Sequence, residues 1–372
     1  MPAPLPLLLL HRLPLVPLLR RGVRPAWSRL LAMASADATR GAGPGSGPWR
    51  VLLTRRIPDS GVGALEASGE CEVQQWDSDD QIPQEELLRR VPGVHGLYCL
   101  LTDRVDAAVL DAAGPSLKVI STMSVGFDHL SLDECKKRGI RVGYTPDVLT
   151  DATAELTVGL LLATSRRLVE AAAEVKSGGW GTWKPMWMCG QGLSGSTVGV
   201  VGLGRIGVAV CERLKPFGVR RVLYTGRNPK PDVEQRLGAQ FLPLQELLRE
   251  ADFVVVSCAL TDATRGLFGR EAFARMKRSA VFINISRGLI VNQDDLYDAL
   301  RSGEIAAAGL DVTTPEPLPT DHPLLSLSNC VIMPHIGSAT TDTRSKMAVM
   351  TAENLLAGLR GEPMHAELTL PL

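Results

Sequence analysis

The sequence lacks the residue patterns that mark several protein classes. Its seven cysteines are scattered, no CxxC pair occurs, and no spacing of histidines, cysteines and acids is typical of a metal site. Most cysteines lie in apolar runs, which indicates reduced, buried thiols in an intracellular protein. Forty basic residues balance forty acidic ones, so a nucleic-acid partner is not indicated. After residue 50 no apolar stretch is long enough to span a membrane.

Acids are also missing from the start of the chain, where the first is Asp37. An Arg-rich, acid-poor start resembles a mitochondrial transit peptide. A secretory signal is a competing interpretation, although Arg12 and several prolines interrupt its apolar core, and translation from Met33 is a third. We expect residues 1–48 to be a disordered or targeting leader outside the fold. We favour a cytoplasmic protein, with mitochondrial delivery as the alternative if the leader is translated.

From Arg50 onward, short β-branched runs alternate with helical patterns. This alternation predicts a parallel sheet with helices on both faces. No glycine-rich loop follows the first strand, so the first domain is not expected to hold a cofactor. A single long helix over residues 150–176, capped by Thr150 or Asp151, is expected to link it to a second domain. A last helix over 342–359 is expected to return to the first domain.

The second domain opens with the apolar run Val198–Val201, a Gly-Leu-Gly-Arg-Ile-Gly turn and a helical pattern. In such a strand, turn and helix, the glycines permit a tight turn, close approach of a pyrophosphate and close packing of helix on strand. The free N–H groups at the helix start attract phosphates. We therefore predict a Rossmann-type domain with a dinucleotide site. Its turn residues are Gly202, Gly204, Arg205, Ile206 and Gly207.

The residues about 20 positions after the glycine turn, at the end of the next predicted strand, indicate which nicotinamide cofactor is bound. An NAD site usually places an acid about 20 residues further on, where it binds the ribose hydroxyls. Here that position is Arg227, followed by Asn228 and Lys230, and no acid occurs before Asp232. Arginine and lysine suit a 2′-phosphate. The sequence thus favours NADPH, with NADH as the alternative cofactor.

Three tryptophans, Trp180, Trp183 and Trp187, crowd a segment that also contains glycines and a proline. Two interpretations stay open. The rings pack on their own subunit, or they form a subunit interface, where aromatic residues are enriched.

An arginine, a glutamate and a histidine each follow a predicted strand of the second domain: Arg287, Glu316 and His335. Ligands bind beyond the carboxyl ends of strands in open α/β sheets. An arginine there can hold a carboxylate and polarise a carbonyl. A histidine can deliver a proton near neutrality, and a glutamate can fix its tautomer and raise its pKa. The sequence therefore predicts one catalytic set built from these three residues.

The glycine turn, Ser286-Arg287-Gly288, Glu316 and Pro334-His335-Ile336-Gly337 together resemble the D-2-hydroxyacid dehydrogenase family, over residues 50 to about 370. The resemblance implies that Arg287, Glu316 and His335 are catalytic. It also implies that Val125 and Gly126 offer backbone N–H groups to a substrate carboxylate. Further residues expected near the substrate are Ser338 and Trp183, and those expected near the nicotinamide are Ala259, Ile285 and Asp311.

The resemblance implies two doubly wound domains, with the Rossmann-type cofactor domain inserted into a flavodoxin-like substrate domain. We expect residues 49–148 plus 341–372 to form the substrate domain and residues 149–340 the dinucleotide-binding domain. The implied assembly is a homodimer. The implied reaction is reduction of a small 2-oxo acid, glyoxylate or hydroxypyruvate, to glycolate or D-glycerate.

Two alternatives to this reaction are kept. Another activity of the same family, on D-3-phosphoglycerate or D-lactate, is one. A dinucleotide-sensing corepressor is the other, because some relatives of this fold bind peptide motifs, and it would require an exposed apolar groove on the first domain.

Overall fold

A computed structural model of the chain describes residues 47–370, so the predicted leader lies outside the described residues except for its last two positions. The first of two parallel sheets is built from residues 49–143. Its strands are β1 (Trp49–Leu53), β2 (Cys71–Gln75), β3 (Gly96–Cys99), β4 (Val119–Thr122) and β5 (Arg141–Gly143). They lie in the order β2-β1-β3-β4-β5. This is the flavodoxin-like order, as predicted.

The second sheet is built from residues 197–332. Its strands are β6 (Thr197–Val201), β7 (Arg221–Thr225), β8 (Ala239–Phe241), β9 (Phe253–Val256), β10 (Val281–Asn284), β11 (Ala307–Leu310) and β12 (Cys330–Ile332). They lie in the order β12-β11-β10-β9-β6-β7-β8. The six strands from β6 to β11 have the Rossmann order, and β12 extends one edge. The prediction of two doubly wound parallel sheets is confirmed.

Helices cover both sheets. They are α1 (Asp59–Ala67), α2 (Gln84–Arg90), α3 (Ala107–Ala113), α4 (Leu132–Lys137), α5 (Thr150–Ser165), α6 (Leu168–Ser177), α7 (Arg205–Leu214), α8 (Pro231–Leu237), α9 (Leu244–Glu250), α10 (Arg270–Arg275), α11 (Gln293–Ser302) and α12 (Thr341–Arg360). Strand β9 shows why both faces are covered. Its alternate residues Phe253 and Val255 enter a core that includes α5 and α7, whereas Val254 and Val256 enter one that includes α9 and α11. A strand buried on both faces reads as a continuous apolar run.

The last helix returns to the first sheet, as predicted. Met347, Ala348 and Leu355 of α12 share a core with Val51 and Val119 of that sheet. The second sheet therefore stands, in chain order, between two parts of the chain that pack together.

The predicted linking helix is interrupted, so the prediction of one continuous helix is wrong. α5 ends at Ser165 and α6 begins at Leu168, because Arg167 between them has a left-handed φ of 54°. Such a residue cannot continue a right-handed helix. A bidentate ion pair from Arg167 to Glu170 holds the break. Leu149 precedes the helix without a side-chain cap, so the predicted caps Thr150 and Asp151 are also wrong.

All seven cysteines are free thiols; Cys99, Cys135 and Cys211 are buried and Cys189 is exposed. No helix within residues 47–370 combines the length and the apolar character needed to cross a membrane.

Candidate active site

The glycine turn follows β6 and starts α7. Gly202 has φ of 97°, and a Cβ there would lie 2.6 Å from the backbone of Cys258. A Cβ on Gly207 would lie 2.5 Å from the Gly202 carbonyl oxygen. Packing thus requires these two glycines. Gly204 differs, because a Cβ built on it meets no atom within 4 Å, which leaves an open face at the start of the helix.

That helix start suits an anion. Gly204 precedes α7 without a side-chain cap, and the first turn of α7 carries no acid. Its N–H groups and the positive end of the helix dipole are therefore available to phosphates. Arg205 pairs with Asp147 at 2.5 Å on the exposed side of the turn. Ile206 packs against the cores of both sheets.

The three residues predicted to bind the 2′-phosphate on the ribose of the cofactor lie beyond β7. Arg227, Asn228 and Lys230 are all exposed. Lys230 reaches back to the glycine turn, where its Nζ donates to the Leu203 carbonyl at 2.7 Å. The Tyr224 hydroxyl supports this loop by accepting from the Lys230 N–H at 2.6 Å. Lys230 thus connects the loop of Arg227, Asn228 and Lys230, here called the cationic loop, to the glycine turn.

Glu316 and His335 form a direct pair. The Nδ1 of His335 lies 2.8 Å from Glu316 Oε2, and the other carboxylate oxygen accepts from the Thr313 N–H at 3.0 Å. Burial alone would raise the pKa of the Glu316 carboxyl. The hydrogen bond and the charge of His335, together with Thr313 and Arg287, outweigh burial and lower this pKa. Glu316 therefore stays ionised and holds the proton of His335 on Nδ1, which leaves Nε2 for chemistry.

Asp311 holds the backbone on which His335 is carried. His335 has a left-handed φ of 52°, a conformation that costs roughly 1–2 kcal/mol for a residue with a Cβ. The buried Asp311 carboxylate accepts from the N–H groups of Ile336 and Gly337, both at 2.8 Å. The His335 N–H donates to the Asp311 carbonyl at 2.9 Å. Burial raises the pKa of Asp311 despite these bonds.

Arg287 joins the two sheets. It follows β10, and its Nε donates to Asp128 of the first sheet's β4–α4 connection at 3.0 Å. Its Nη1 donates to the Ser286 carbonyl at 2.9 Å. A Cβ built on Gly126 would overlap Nη2, so the guanidinium lies directly against the Val125–Gly126 turn. The structure thus brings together Arg287 and Gly126, which the sequence placed in different domains.

The remaining predicted residues differ in their burial. Ile285 is buried directly after β10, and the Ala259 carbonyl accepts from the Thr264 hydroxyl at 2.7 Å. Ser338 is half-buried between His335 and α12. Trp183 is the exception, because 79% of its surface is exposed and it does not pack in the site of its own chain.

Asp128 and His129 are two residues of this region that the sequence motifs did not indicate. Both follow Gly126 by a few residues at the carboxyl end of β4, and this position could have indicated that they lie near the site. In the part of the chain that the structure describes, no three His, Cys, Asp or Glu side chains are grouped to hold a metal ion.

Comparisons with known proteins agree with this geometry. Residues 158–337 match the family model for the D-isomer specific 2-hydroxyacid dehydrogenase NAD binding domain. The chain is 66% identical to the human glyoxylate reductase/hydroxypyruvate reductase over 321 residues, 86% of this chain and 98% of the human protein.

Solved structures show the same fold. The TT0316 protein from Thermus thermophilus is 48% identical, with a TM-score of 0.81 over 86% of this chain and 100% of that one. An NADPH-dependent glyoxylate/hydroxypyruvate reductase from Sinorhizobium meliloti, in complex with NADP and malonate, is 30% identical. Its TM-score is 0.75 over 87% of this chain and 97% of that one. On its sequence, its two sheets and these relatives, the chain belongs to the D-2-hydroxyacid dehydrogenase family.

Proposed function

We propose that this dehydrogenase reduces glyoxylate to glycolate and hydroxypyruvate to D-glycerate. The observation that carries the proposal is the junction of Arg287 with the Val125–Gly126 turn, beside the Glu316–His335 pair. The charge of Arg287 contributes to lowering the pKa of Glu316, so the two groups share one electrostatic environment. The human relative at 66% identity is named for both substrates.

In this proposal the substrate carboxylate accepts jointly from the Arg287 guanidinium and from the N–H groups of Val125 and Gly126, beside which the guanidinium lies. Such charge-assisted bonds fix a small acid at one end and leave its C2 carbonyl free to be oriented. Arg287 also polarises that carbonyl and stabilises negative charge that develops on its oxygen. The Nε2 of His335 gives the oxygen a proton, and Glu316 stabilises the histidine while it is protonated. The reduced nicotinamide, when bound, supplies a hydride to C2.

We assign the cofactor to the glycine turn and the cationic loop. Gly202, Gly204, Arg205, Ile206 and Gly207 would hold the pyrophosphate, because Gly204 is open and the start of α7 is uncapped. Arg227, Asn228 and Lys230 would bind the 2′-phosphate, which supports NADPH over NADH. Near the nicotinamide we place residues at the carboxyl end of the second sheet: Ala259, Ile285 and Asp311.

We assign residues 49–148 plus 341–372 to the substrate domain and residues 149–340 to the dinucleotide-binding domain. The packing of α12 on the first sheet supports this division. Ser338 lies between His335 and α12 and is proposed to contact the substrate.

We further propose a homodimer formed through the tryptophan segment. Trp180, Trp183 and Met186 are 64%, 79% and 82% exposed, which is unusual for such large apolar side chains. A second copy of the chain would bury them in an interface. Because Trp183 is exposed in its own chain, we propose that it contacts substrate across the subunit interface.

We propose a cytoplasmic location; the seven free thiols support a reducing compartment. Fractionation of cells that express the full chain with a C-terminal tag tests this location, and recovery of the chain with mitochondria would overturn it.

The test of activity is the initial rate of cofactor oxidation by the purified full chain. Glyoxylate and hydroxypyruvate are each offered with NADPH and with NADH, and pyruvate and a 3-phosphorylated 2-oxo acid serve as competitor substrates. We expect kcat/KM to be highest for the first two with NADPH. A higher value for pyruvate or the phosphorylated acid would assign the chain to another activity of the family.

A further inference from the structure

A chain of three buried and half-buried hydrogen bonds lies beside the turn assigned to the substrate carboxylate. The His129 Nε2 lies 2.9 Å from the Thr122 Oγ1, and this hydroxyl lies 2.9 Å from the Ser124 Oγ. The Ser124 hydroxyl in turn donates to the Gly126 carbonyl at 2.6 Å. Thr122 and Ser124 are both buried. The imidazole is therefore connected to the turn through two hydroxyl groups.

The direction of these bonds fixes the tautomer of His129. A hydroxyl has one proton, and that of Ser124 is committed to the Gly126 carbonyl. Thr122 must therefore donate to Ser124. The oxygen of Thr122 then accepts its bond from His129, so Nε2 carries the imidazole proton.

The other nitrogen of His129 cannot readily take a second proton. Its Nδ1 is shielded from solvent and has no hydrogen-bond partner among residues 47–370. Burial lowers the pKa of His129 to about 4, although the neighbouring Asp128 acts to raise it, and Arg287 acts to lower it further. The imidazole is thus neutral near pH 7, which makes it a fixed donor rather than an acid or base.

We propose that His129 is a positioning residue for substrate binding, which holds the Val125–Gly126 turn in place through Thr122 and Ser124. This inference rests on the proposed function, because it assigns the turn to the substrate carboxylate. Asp128, the residue before His129, binds Arg287. The same short segment therefore contacts both groups that would bind the carboxylate: Asp128 contacts Arg287, and His129 supports the Val125–Gly126 turn.

The two amide variants of His129 separate this role from simple packing. His129→Gln can place an amide N–H near the position of Nε2, whereas the shorter side chain in His129→Asn ends near the position of Nδ1 and does not reach Thr122. We expect the Asn variant to raise KM for glyoxylate about tenfold, as loss of one half-buried hydrogen bond that positions the turn can produce. We expect the Gln variant to stay within about twofold of wild type, and kcat and the Kd of NADPH to change little in either.

Thr122 provides an independent test of the same chain of bonds. Thr122→Val keeps the side-chain shape and removes the hydroxyl, so it should raise KM for glyoxylate as His129→Asn does, whereas Thr122→Ser should not. His95→Ala is the control, because it removes a histidine hydrogen bond from the same sheet. The Nδ1 of His95 accepts from the Arg50 N–H at 2.9 Å at the amino end of β3, whereas the site lies beyond the carboxyl ends of the strands, so loss of this bond should leave KM for glyoxylate unchanged.

Equal KM values for the Asn and Gln variants would overturn the role of His129, and so would a matching rise in the Kd of NADPH. A folded Thr122→Val variant with the wild-type KM would also overturn it. Failure of the wild-type chain to reduce glyoxylate or hydroxypyruvate is a different result, because it contradicts the proposed function before any variant is compared.

Discussion

At the scale of single residues, the proposed chemistry depends on groups held from several directions. His335 is held on its side chain by Glu316 and on its backbone by Asp311. Arg287 is held by Asp128 from the first sheet and by the Ser286 carbonyl from the second. Catalytic groups that are fixed before the substrate arrives need no reorganisation during the reaction.

Removal of the proton donor should reduce turnover. We expect His335→Ala to lower kcat by about 100-fold or more, because proton transfer by a positioned side chain contributes at least that factor. Steady-state kinetics with glyoxylate measure the effect. His365→Ala is the control, since His365 also pairs with a glutamate, Glu353, but on the exposed surface at 3.3 Å. An unchanged kcat in His335→Ala would exclude its role.

A methyl group at Gly126 should displace Arg287. The added Cβ would overlap Nη2, so the guanidinium must leave its position against the turn. We expect Gly126→Ala to reduce kcat/KM for the 2-oxo acid by about tenfold or more, with KM and kcat both affected. Gly63→Ala in α1 is the control, because a Cβ there meets no atom within 4 Å. Wild-type kinetics for Gly126→Ala would show that the Arg287 position is not required.

His129 also predicts how stability depends on pH. The unfolded chain should protonate this residue below about pH 6.5, whereas its pKa in the folded chain is about 4. Between these values the unfolded state binds more protons, so the free energy of unfolding should fall as the pH is lowered through this window, and this contribution should level off below it. Urea unfolding between pH 4.5 and 7 should therefore show a steeper pH dependence for wild type than for His129→Gln. Parallel curves would contradict a buried, neutral imidazole.

At the scale of elements, the sequence predicted the strands and turns that are determined by residues adjacent along the chain. The β6 run is buried at all five positions, so its apolar character is visible without the rest of the fold. The glycine turn is also local. By contrast, the sequence gives little indication of β8 and α8, because a three-residue edge strand and a short polar helix have little periodicity.

Other features depended on contacts that the sequence does not display. The helix break at Arg167 depends on a left-handed backbone conformation, and no glycine at this position indicated it in the sequence. The pairing of Arg287 with Asp128 joins residues 159 positions apart, on different sheets. Ligands bind beyond the carboxyl ends of strands in open α/β sheets, and Arg287, Glu316 and His335 do follow such strand ends. That principle could not indicate which residues they contact.

The element after β7 should set the cofactor preference. We expect Arg227→Ala to narrow the ratio of kcat/KM for NADPH to that for NADH, because it removes a cation assigned to the 2′-phosphate. Arg270→Ala is the control, since Arg270 pairs with Asp295 and Asp298 of α11 instead. Parallel kinetics with both cofactors measure the ratio. The same ratio in wild type and Arg227→Ala would assign the preference to other residues.

At the scale of the whole molecule, the exposed apolar segment should determine assembly. We expect the full chain to be a dimer by light scattering at micromolar concentration, and Trp183→Asp with Met186→Asp to shift it toward the monomer. These substitutions place charges on side chains that are 79% and 82% exposed in the single chain, so they should not disturb its fold. Leu325→Asp, at a residue 50% exposed elsewhere, should remain dimeric. A monomeric wild-type chain would contradict the proposed interface.

The position of Ile206 has a consequence for protein engineering. Because this residue of the glycine turn packs against the cores of both sheets, the position of the turn depends on residues of the first sheet's core as well as on its own strand and helix. To change the cofactor preference of another dehydrogenase, one could transfer β6, the turn and α7 alone. Ile206 would then contact side chains of the recipient protein that differ from those in this chain. Such a graft should recover its geometry only when the first-sheet core residues that contact Ile206 are transferred with it; Val125 and Val148 pack on the same core.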